Sequence, residues 1–196
     1  MSHYFTDNAD MSHSRRVIPF RFLGVNYKFV SDNGVFSKDE IDDGTQLLLS
    51  CLDFSSLNNG IVDLGCGYGV IAVIVSKITN SEVLAIDVNP RAIELTKENS
   101  DLNNVKVKAI ENNGLTNIDK LFRAIITNPP IRAGKETVYR LFDQAYEKLK
   151  EDGVLWVVIR KQQGAVSAVN KLNELFGNCL VVERKKGFWI LKSNKT

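Results

Sequence analysis

Apolar residues along this chain fall into two alternating patterns. Short, mainly apolar runs occur at Ile61–Leu64, Val83–Ile86, Val105–Ile110, Ala124–Thr127 and Val154–Ile159, the last apolar throughout. Runs of this length and density suit strands covered on both faces. Between them lie longer stretches with helical character. Val70–Ile78 predicts a buried helix, and Asn89-Pro90 opens another, with Asn as N-cap and Pro at the first helical position. Thr137–Lys150 predicts an amphipathic helix stopped by Asp152-Gly153, and Ala165–Phe176 one stopped by Gly177. Upstream, Ser37-Lys38-Asp39-Glu40 has the spacing of a capping box, ahead of a helix carrying Ile41, Leu47, Leu48, Leu49 and Leu52. Cys179–Glu183 and Phe188–Leu191 flank Arg184-Lys185-Lys186-Gly187 as a closing hairpin with an exposed basic tip. Strand and helix alternate throughout, so the expected class is α/β: a Rossmann-like, seven-stranded, mostly parallel sheet with one antiparallel strand.

The first 36 residues read differently. Residues 1–15 are polar and predict a flexible arm. From Arg16 to Phe36 basic residues (Arg16, Arg21, Lys28) interleave with Phe20, Phe22, Tyr27 and Phe29. Gly24 and Ser31-Asp32-Asn33-Gly34 supply turns, which predicts a small antiparallel hairpin. The expected organisation is an arm and hairpin over 1–36, followed by one domain over 37–196.

Composition narrows the chemistry. The 196 residues are 44% apolar and 24% charged, with a net charge of +2, so a nucleic-acid surface would have to be a local patch. Cys51, Cys66 and Cys179 are scattered and odd in number, which argues against a disulfide framework or zinc site and suits a reducing cytosol. Histidine occurs only at His3 and His13, so a histidine triad or metal centre in the core is not expected. The apolar runs are too short to span a bilayer. A soluble cytoplasmic protein without metal or membrane partner is expected, its oligomeric state open.

Two motifs carry the candidate chemistry. Asp63-Leu64-Gly65-Cys66-Gly67-Tyr68-Gly69 lies between the first strand and a helix, where ligands of open α/β sheets bind. A dinucleotide fingerprint would need glycine at position 70, which is Val70. Asp87 ends the second strand, 24 residues after Asp63. It can accept hydrogen bonds from ribose hydroxyls or complement the following helix dipole. Glu111-Asn112-Asn113-Gly114 turns the chain after the third strand. After the fourth comes Asn128-Pro129-Pro130-Ile131. Two prolines cannot continue a central strand. An amide oxygen and a rigid carbonyl there can accept the two hydrogens of an amine and aim its lone pair, so the catalysis would be positioning and electrostatics.

The glycine loop resembles motif I of class I S-adenosylmethionine methyltransferases, and Asn128–Ile131 resembles motif IV of the amino-methylating members. Combined with Gly34–Ser37, the Asp42-Asp43-Gly44-Thr45 stretch, Asn128–Lys135 and Lys161–Ala165, the chain resembles short stand-alone relatives of the small-subunit ribosomal RNA guanine-N2 methyltransferase (RsmC) family over residues 16–192. The resemblance implies the class I methyltransferase fold, S-adenosylmethionine as cofactor, and methyl transfer to guanine N2 of ribosomal RNA or the small subunit. It implies cofactor contacts from Phe36, Asp63, Gly65, Cys66, Gly67, Gly69, Asp87, Val88, Asn112 and Asn113. Asn113 stands where the family usually has an adenine-binding Asp, and Ile131 where it usually has an aromatic residue. Arg132, Lys135, Arg16 and Arg21 are candidates for RNA phosphates. Alternatives are an adenine-N6 or protein glutamine-N5 methyltransferase, or a cofactor-binding RNA-binding or ribosome-assembly protein without activity.

Overall fold

A computed structural model describes residues 13–35, 37 and 39–196. The expected arm over 1–12, Phe36 and Lys38 lie outside the described residues. The strands are β1 (Arg16–Phe22), β2 (Val25–Ser31), β3 (Ile61–Leu64), β4 (Val83–Asp87), β5 (Val107–Glu111), β6 (Phe122–Thr127), β7 (Leu149–Arg160), β8 (Leu180–Lys185) and β9 (Phe188–Asn194). The helices are α1 (Asp43–Cys51), α2 (Val70–Thr79), α3 (Pro90–Leu102), α4 (Lys135–Lys148) and α5 (Ala165–Phe176).

Seven strands form one sheet in the order β5-β4-β3-β6-β7-β9-β8. β5, β4, β3, β6 and β7 are mutually parallel. β9 runs against both β7 and β8, so it is the single antiparallel strand of an otherwise parallel sheet. The β8–β9 turn reduces to Lys186-Gly187, both at positive φ, as a two-residue hairpin turn requires.

Side chains alternate across the sheet and build a buried cluster on each face. Ile61, Val83, Ala85, Ala124, Ile126, Trp156, Val158 and Ile190 point to the side covered by α1, α2 and α3. Val62, Leu64, Ile86, Ile125, Leu155, Val157 and Leu191 point to the side covered by α4 and α5. The expected fold class stands: a Rossmann-like, seven-stranded, mostly parallel sheet with one antiparallel strand, preceded by an N-terminal hairpin.

That hairpin, β1–β2, joins the first cluster through Ile18, Tyr27 and Phe29. Its outer edge is held by two side chains one turn apart, Asn99 on α3 and Asn103 at its C-cap. Asn99 accepts from Val30 N (2.6 Å) and donates to Val30 O (2.9 Å) and Tyr68 O (2.8 Å). Asn103 accepts from Lys28 N (3.2 Å) and donates to Lys28 O (2.8 Å). Two side-chain amides therefore stand in for a neighbouring strand.

Three local expectations are corrected. The Ser37–Glu40 stretch does not cap a helix. Ser37 sits at φ 55 and its hydroxyl donates to Glu40 O, while α1 starts at Asp43 with Asp42 as N-cap, accepting from Gly44 N and Thr45 N. Asp152-Gly153 does not lie between helix and strand. α4 runs Lys135–Lys148, and β7 starts at Leu149 and carries Asp152 at φ 61 through an irregularity opposite Phe122–Ala124. β5 starts at Val107, two residues later than the apolar run suggested.

Candidate active site

The carboxyl ends of β3, β4, β5, β6 and β7 and the start of antiparallel β9 converge on one edge of the sheet, around a cavity of about 480 Å³. Such a volume suits a cofactor-sized ligand.

The first wall is the glycine loop. Gly65 N and Cys66 N both donate to Ile86 O, at 2.8 and 2.9 Å, which pins the loop between β3 and β4. Gly67 lies at φ +55, and a Cβ built there would meet nothing within 4 Å. Its missing side chain leaves open space lined by the loop, which a ligand can fill. Gly69, also expected at the cofactor, does not line the cavity. A Cβ there would sit 2.9 Å from the Thr96 side chain, so this glycine lets α2 approach α3.

Asp63 does not line the cavity either. It is fully buried beneath the loop, where Oδ2 accepts from Ala72 N (2.9 Å) and Oδ1 has no partner among the described residues. Burial pushes its carboxyl up to about 7, with the charge of Asp87 adding to the effect. Asp87 lines the cavity. Its Oδ2 accepts from Gly67 N (2.9 Å) and its Oδ1 from Asn89 N (3.0 Å). Burial raises its carboxyl too, against those bonds. Val88 is a third backbone partner of this carboxylate, which leaves one of its four lone-pair sites for an incoming hydroxyl. Cys66 and Val88 complete this side, and burial lifts the Cys66 thiol well above its usual range.

Asn112 and Asn113 form the next corner. The Asn112 amide closes its own turn by donating to Gly114 O and Thr116 O, both at 2.9 Å. Asn113 Oδ1 accepts from Arg140 Nη2 on α4 (2.9 Å).

The far wall follows β6. Thr127 Oγ1 donates to Leu64 O (2.7 Å), locking the ends of β6 and β3 together just before the motif. Asn128, Pro129, Pro130 and Ile131 all line the cavity. Pro130 has φ −74 and ψ 79, and Ile131 N donates to Pro129 O (2.8 Å), an inverse γ-turn. Pro129 O keeps a second lone pair. Asn128 Nδ2 donates to Asp42 Oδ2 (3.0 Å) and Thr45 Oγ1 (3.1 Å) at the start of α1, and Oδ1 has no protein partner among the described residues.

Of the expected RNA contacts, Arg132 lines the cavity. Lys135 does not; its ammonium lies over the Tyr139 ring, 5.0 Å from the centroid. Arg16 pairs with Asp39, and Arg21 lines a separate groove with Lys28 and Lys77. Sequence reasoning missed Asp42, Thr45, Arg140, Arg160, Gln163 and Phe188 in the cavity wall. Asp42 and Thr45 carried a signal inside the Asp42–Thr45 stretch, and Gln163 inside Lys161–Ala165, both singled out for their resemblance; Arg140, Arg160 and Phe188 carried none.

Comparison with known proteins gives the family and the fold. A family model described as "Methyltransferase small domain" matches residues 26–192. Uncharacterized protein YbxB of Bacillus subtilis (strain 168) is 42% identical over 197 residues, covering 98% of each chain. Ribosomal RNA small subunit methyltransferase C of Pseudoalteromonas atlantica is 33% identical over 142 residues, covering 72% of this chain and 41% of that relative. The chain therefore spans less than half the length of that relative. The solved structure of T. thermophilus 16S rRNA N2 methyltransferase RsmC, in complex with AdoMet and guanosine, superposes with a TM-score of 0.85 at 23% identity, covering 95% of this chain and 52% of that one. A methyltransferase from Pyrococcus furiosus superposes with a TM-score of 0.66 at 21% identity, covering 77% and 81%. The last two show likeness of fold. With a family model spanning nearly all of it and a relative matched end to end, this chain belongs to the methyltransferase small-domain family.

Proposed function

We propose that this protein transfers a methyl group from S-adenosylmethionine to an exocyclic amine, guanine N2 of small-subunit ribosomal RNA. The observation that carries this reading is Asn128: its amide nitrogen donates to two protein acceptors, and its oxygen has no partner among the described residues, in the cavity that Gly67 leaves open.

The residues suit the cofactor. Asp87 turns its carboxylate into the cavity, where it can accept from a ribose hydroxyl while Gly67 N and Asn89 N hold it. When bound, S-adenosylmethionine supplies an activated methyl group: the amine nitrogen bonds to that carbon, the carbon–sulfur bond breaks with its electron pair on sulfur, and a proton leaves to water. The protein positions the acceptor. An aromatic exocyclic amine delocalises its lone pair and is a poor nucleophile. Asn128 Oδ1 and the free lone pair of Pro129 O each accept one N–H, so the nitrogen lone pair faces the donor. The γ-turn at Pro130 keeps those two acceptors in a fixed relation, so little reorganisation accompanies transfer. Ile131 offers the base an apolar contact in place of a stacking ring. Arg132 at the cavity wall is placed to meet a phosphate. The names of the relatives support ribosomal RNA of the small subunit as the acceptor, and a ribosomal substrate in turn favours a cytoplasmic setting.

Mass mapping of ribosomal RNA nucleosides from cells lacking the protein tests the acceptor. One N2-methylguanosine disappears on this reading. Loss of N6-methyladenosine instead, or methyl incorporation into release factor but not small subunits, overturns it. Asn128→Ala lowers turnover by about 100-fold or more while cofactor affinity is kept.

A further inference from the structure

The amide of Asn128 is not free to choose its orientation. Its nitrogen donates to both Asp42 Oδ2 and Thr45 Oγ1, which lie 2.6 Å from each other on the nitrogen side of the amide. Thr45 Oγ1 gives its own proton to Asp42 Oδ2 (2.6 Å), so its lone pairs are what face Asn128. Asp42 is fixed in turn: Oδ1 accepts from Gly44 N and Oδ2 from Thr45 N, both at 2.9 Å. The same carboxylate thus caps α1 and holds a side chain 86 residues away. Gly44 makes the approach possible. A Cβ there would lie 2.6 Å from the Phe188 ring, so only glycine lets the first turn of α1 sit against β9 and bring Thr45 to Asn128. Asp42, Thr45, Asn128 and Phe188 all line the one cavity.

We propose that Asp42 and Thr45 are positioning residues that set Asn128 to accept from the target amine, an inference that rests on the function proposed above. An unrestrained amide can rotate by half a turn with small change in shape. It would then turn its NH2 toward the amine, donor against donor. Two acceptors on the nitrogen side forbid that state. They also draw the amide hydrogens toward a negative charge, which makes Oδ1 a stronger acceptor. Neither residue touches the reacting atoms, and their effect passes through Asn128.

The test uses the full chain with Thr45→Val, Thr45→Ser, Asp42→Asn and Asn128→Ala. Wild-type Asn128 Nδ2 protons are protected from solvent exchange in amide NMR spectra, and Thr45→Val and Asp42→Asn each remove that protection. In single-turnover methylation of small subunits, Thr45→Val lowers the rate about tenfold, with S-adenosylmethionine Kd and melting temperature nearly unchanged. Thr45→Ser keeps the hydroxyl and restores the rate to within twofold. Unprotected Asn128 protons in the wild type overturn the proposal. So does a full rate in Thr45→Val and Asp42→Asn when Asn128→Ala is inactive, which leaves the proposed function standing. A full rate in Asn128→Ala overturns both.

Discussion

Arg140 on α4 donates through Nη2 to Asn113 Oδ1 at 2.9 Å, at the corner of the cavity where the resemblance places the adenine of the cofactor. Asn113 therefore retains one lone pair on Oδ1 and carries no charge. Asn113→Asp turns this neutral acceptor into a carboxylate paired with a guanidinium, and charge-assisted hydrogen bonds are roughly twice as strong as neutral ones. S-adenosylmethionine should bind about threefold or more tighter to Asn113→Asp, and more weakly to Arg140→Ala. Titration calorimetry reads both. Unchanged affinity in both variants removes this corner from the cofactor site.

Gly67 and Gly69 lie two residues apart with opposite constraints. Alanine at either adopts a left-handed conformation at a cost of about 1–2 kcal/mol. At Gly67 the added methyl meets no protein atom and projects into open space, whereas at Gly69 it meets Thr96 side-chain atoms at 2.9 Å and the Thr96 backbone at 3.2 Å. Gly67→Ala should melt only a few degrees lower yet lose S-adenosylmethionine affinity by more than tenfold. Gly69→Ala should show the larger fall in melting temperature. The reverse ordering in calorimetry and binding contradicts the roles given to the two glycines.

Asp63 predicts a pH dependence with a definite sign. Its folded carboxyl titrates near 7, because burial disfavours the charge and Asp87 lies near, against about 4 in the unfolded chain. Between those values the folded state holds a proton that the unfolded state has released, so its stabilising contribution is full below about 4 and is lost as pH rises to about 7. Asp63→Asn removes this titration. The cofactor-free variant should therefore show a flatter melting temperature between pH 5 and pH 8 than the wild type. An equal slope in both would mean Asp63 is ionised across that range.

The Asn99–Asn103 clamp predicts where the hairpin loosens. Asn99→Ala leaves Val30 N–H and C=O and Tyr68 C=O without their partner. The expected loss is roughly 2–3 kcal/mol, or about 5–10 °C in melting temperature for a chain of this size. Amide exchange should rise first along β2. Exchange that rises equally over the whole sheet would mean the hairpin has no separate attachment.

The alternation of mainly apolar runs and helices was enough to read the sheet, because buried parallel strands leave little else those runs could be. Gly65–Gly69 and Asn128–Ile131 were readable for a related reason, since glycine and proline announce backbone geometry directly. The start of α1 was not. Ser37–Glu40 has capping spacing, but Ser37 sits at φ 55, and the cap went to Asp42, where a tertiary hydrogen bond to Asn128 adds to the local ones. Asp152-Gly153 reads as a helix stop but became part of a 12-residue strand, because Asp152 tolerates φ 61 inside an irregular pairing. Arg140 and Phe188 enter the cavity only through the packing of α4 and β9, which no local pattern encodes. Lys135 follows the chemical motif closely in sequence, yet its ammonium settles on Tyr139.

Asn99 and Asn103 do more than attach β2. They pair with Lys28 and Val30, which alternate with the buried Tyr27 and Phe29. Sliding β2 by one position would bring the aromatic residues opposite the amides and turn them out of the core, while Lys28 would turn in. A ladder of only two rungs therefore opposes a one-residue slip of a seven-residue strand, because one helix turn spans about one two-residue pleat step and so fixes which face of β2 meets the core.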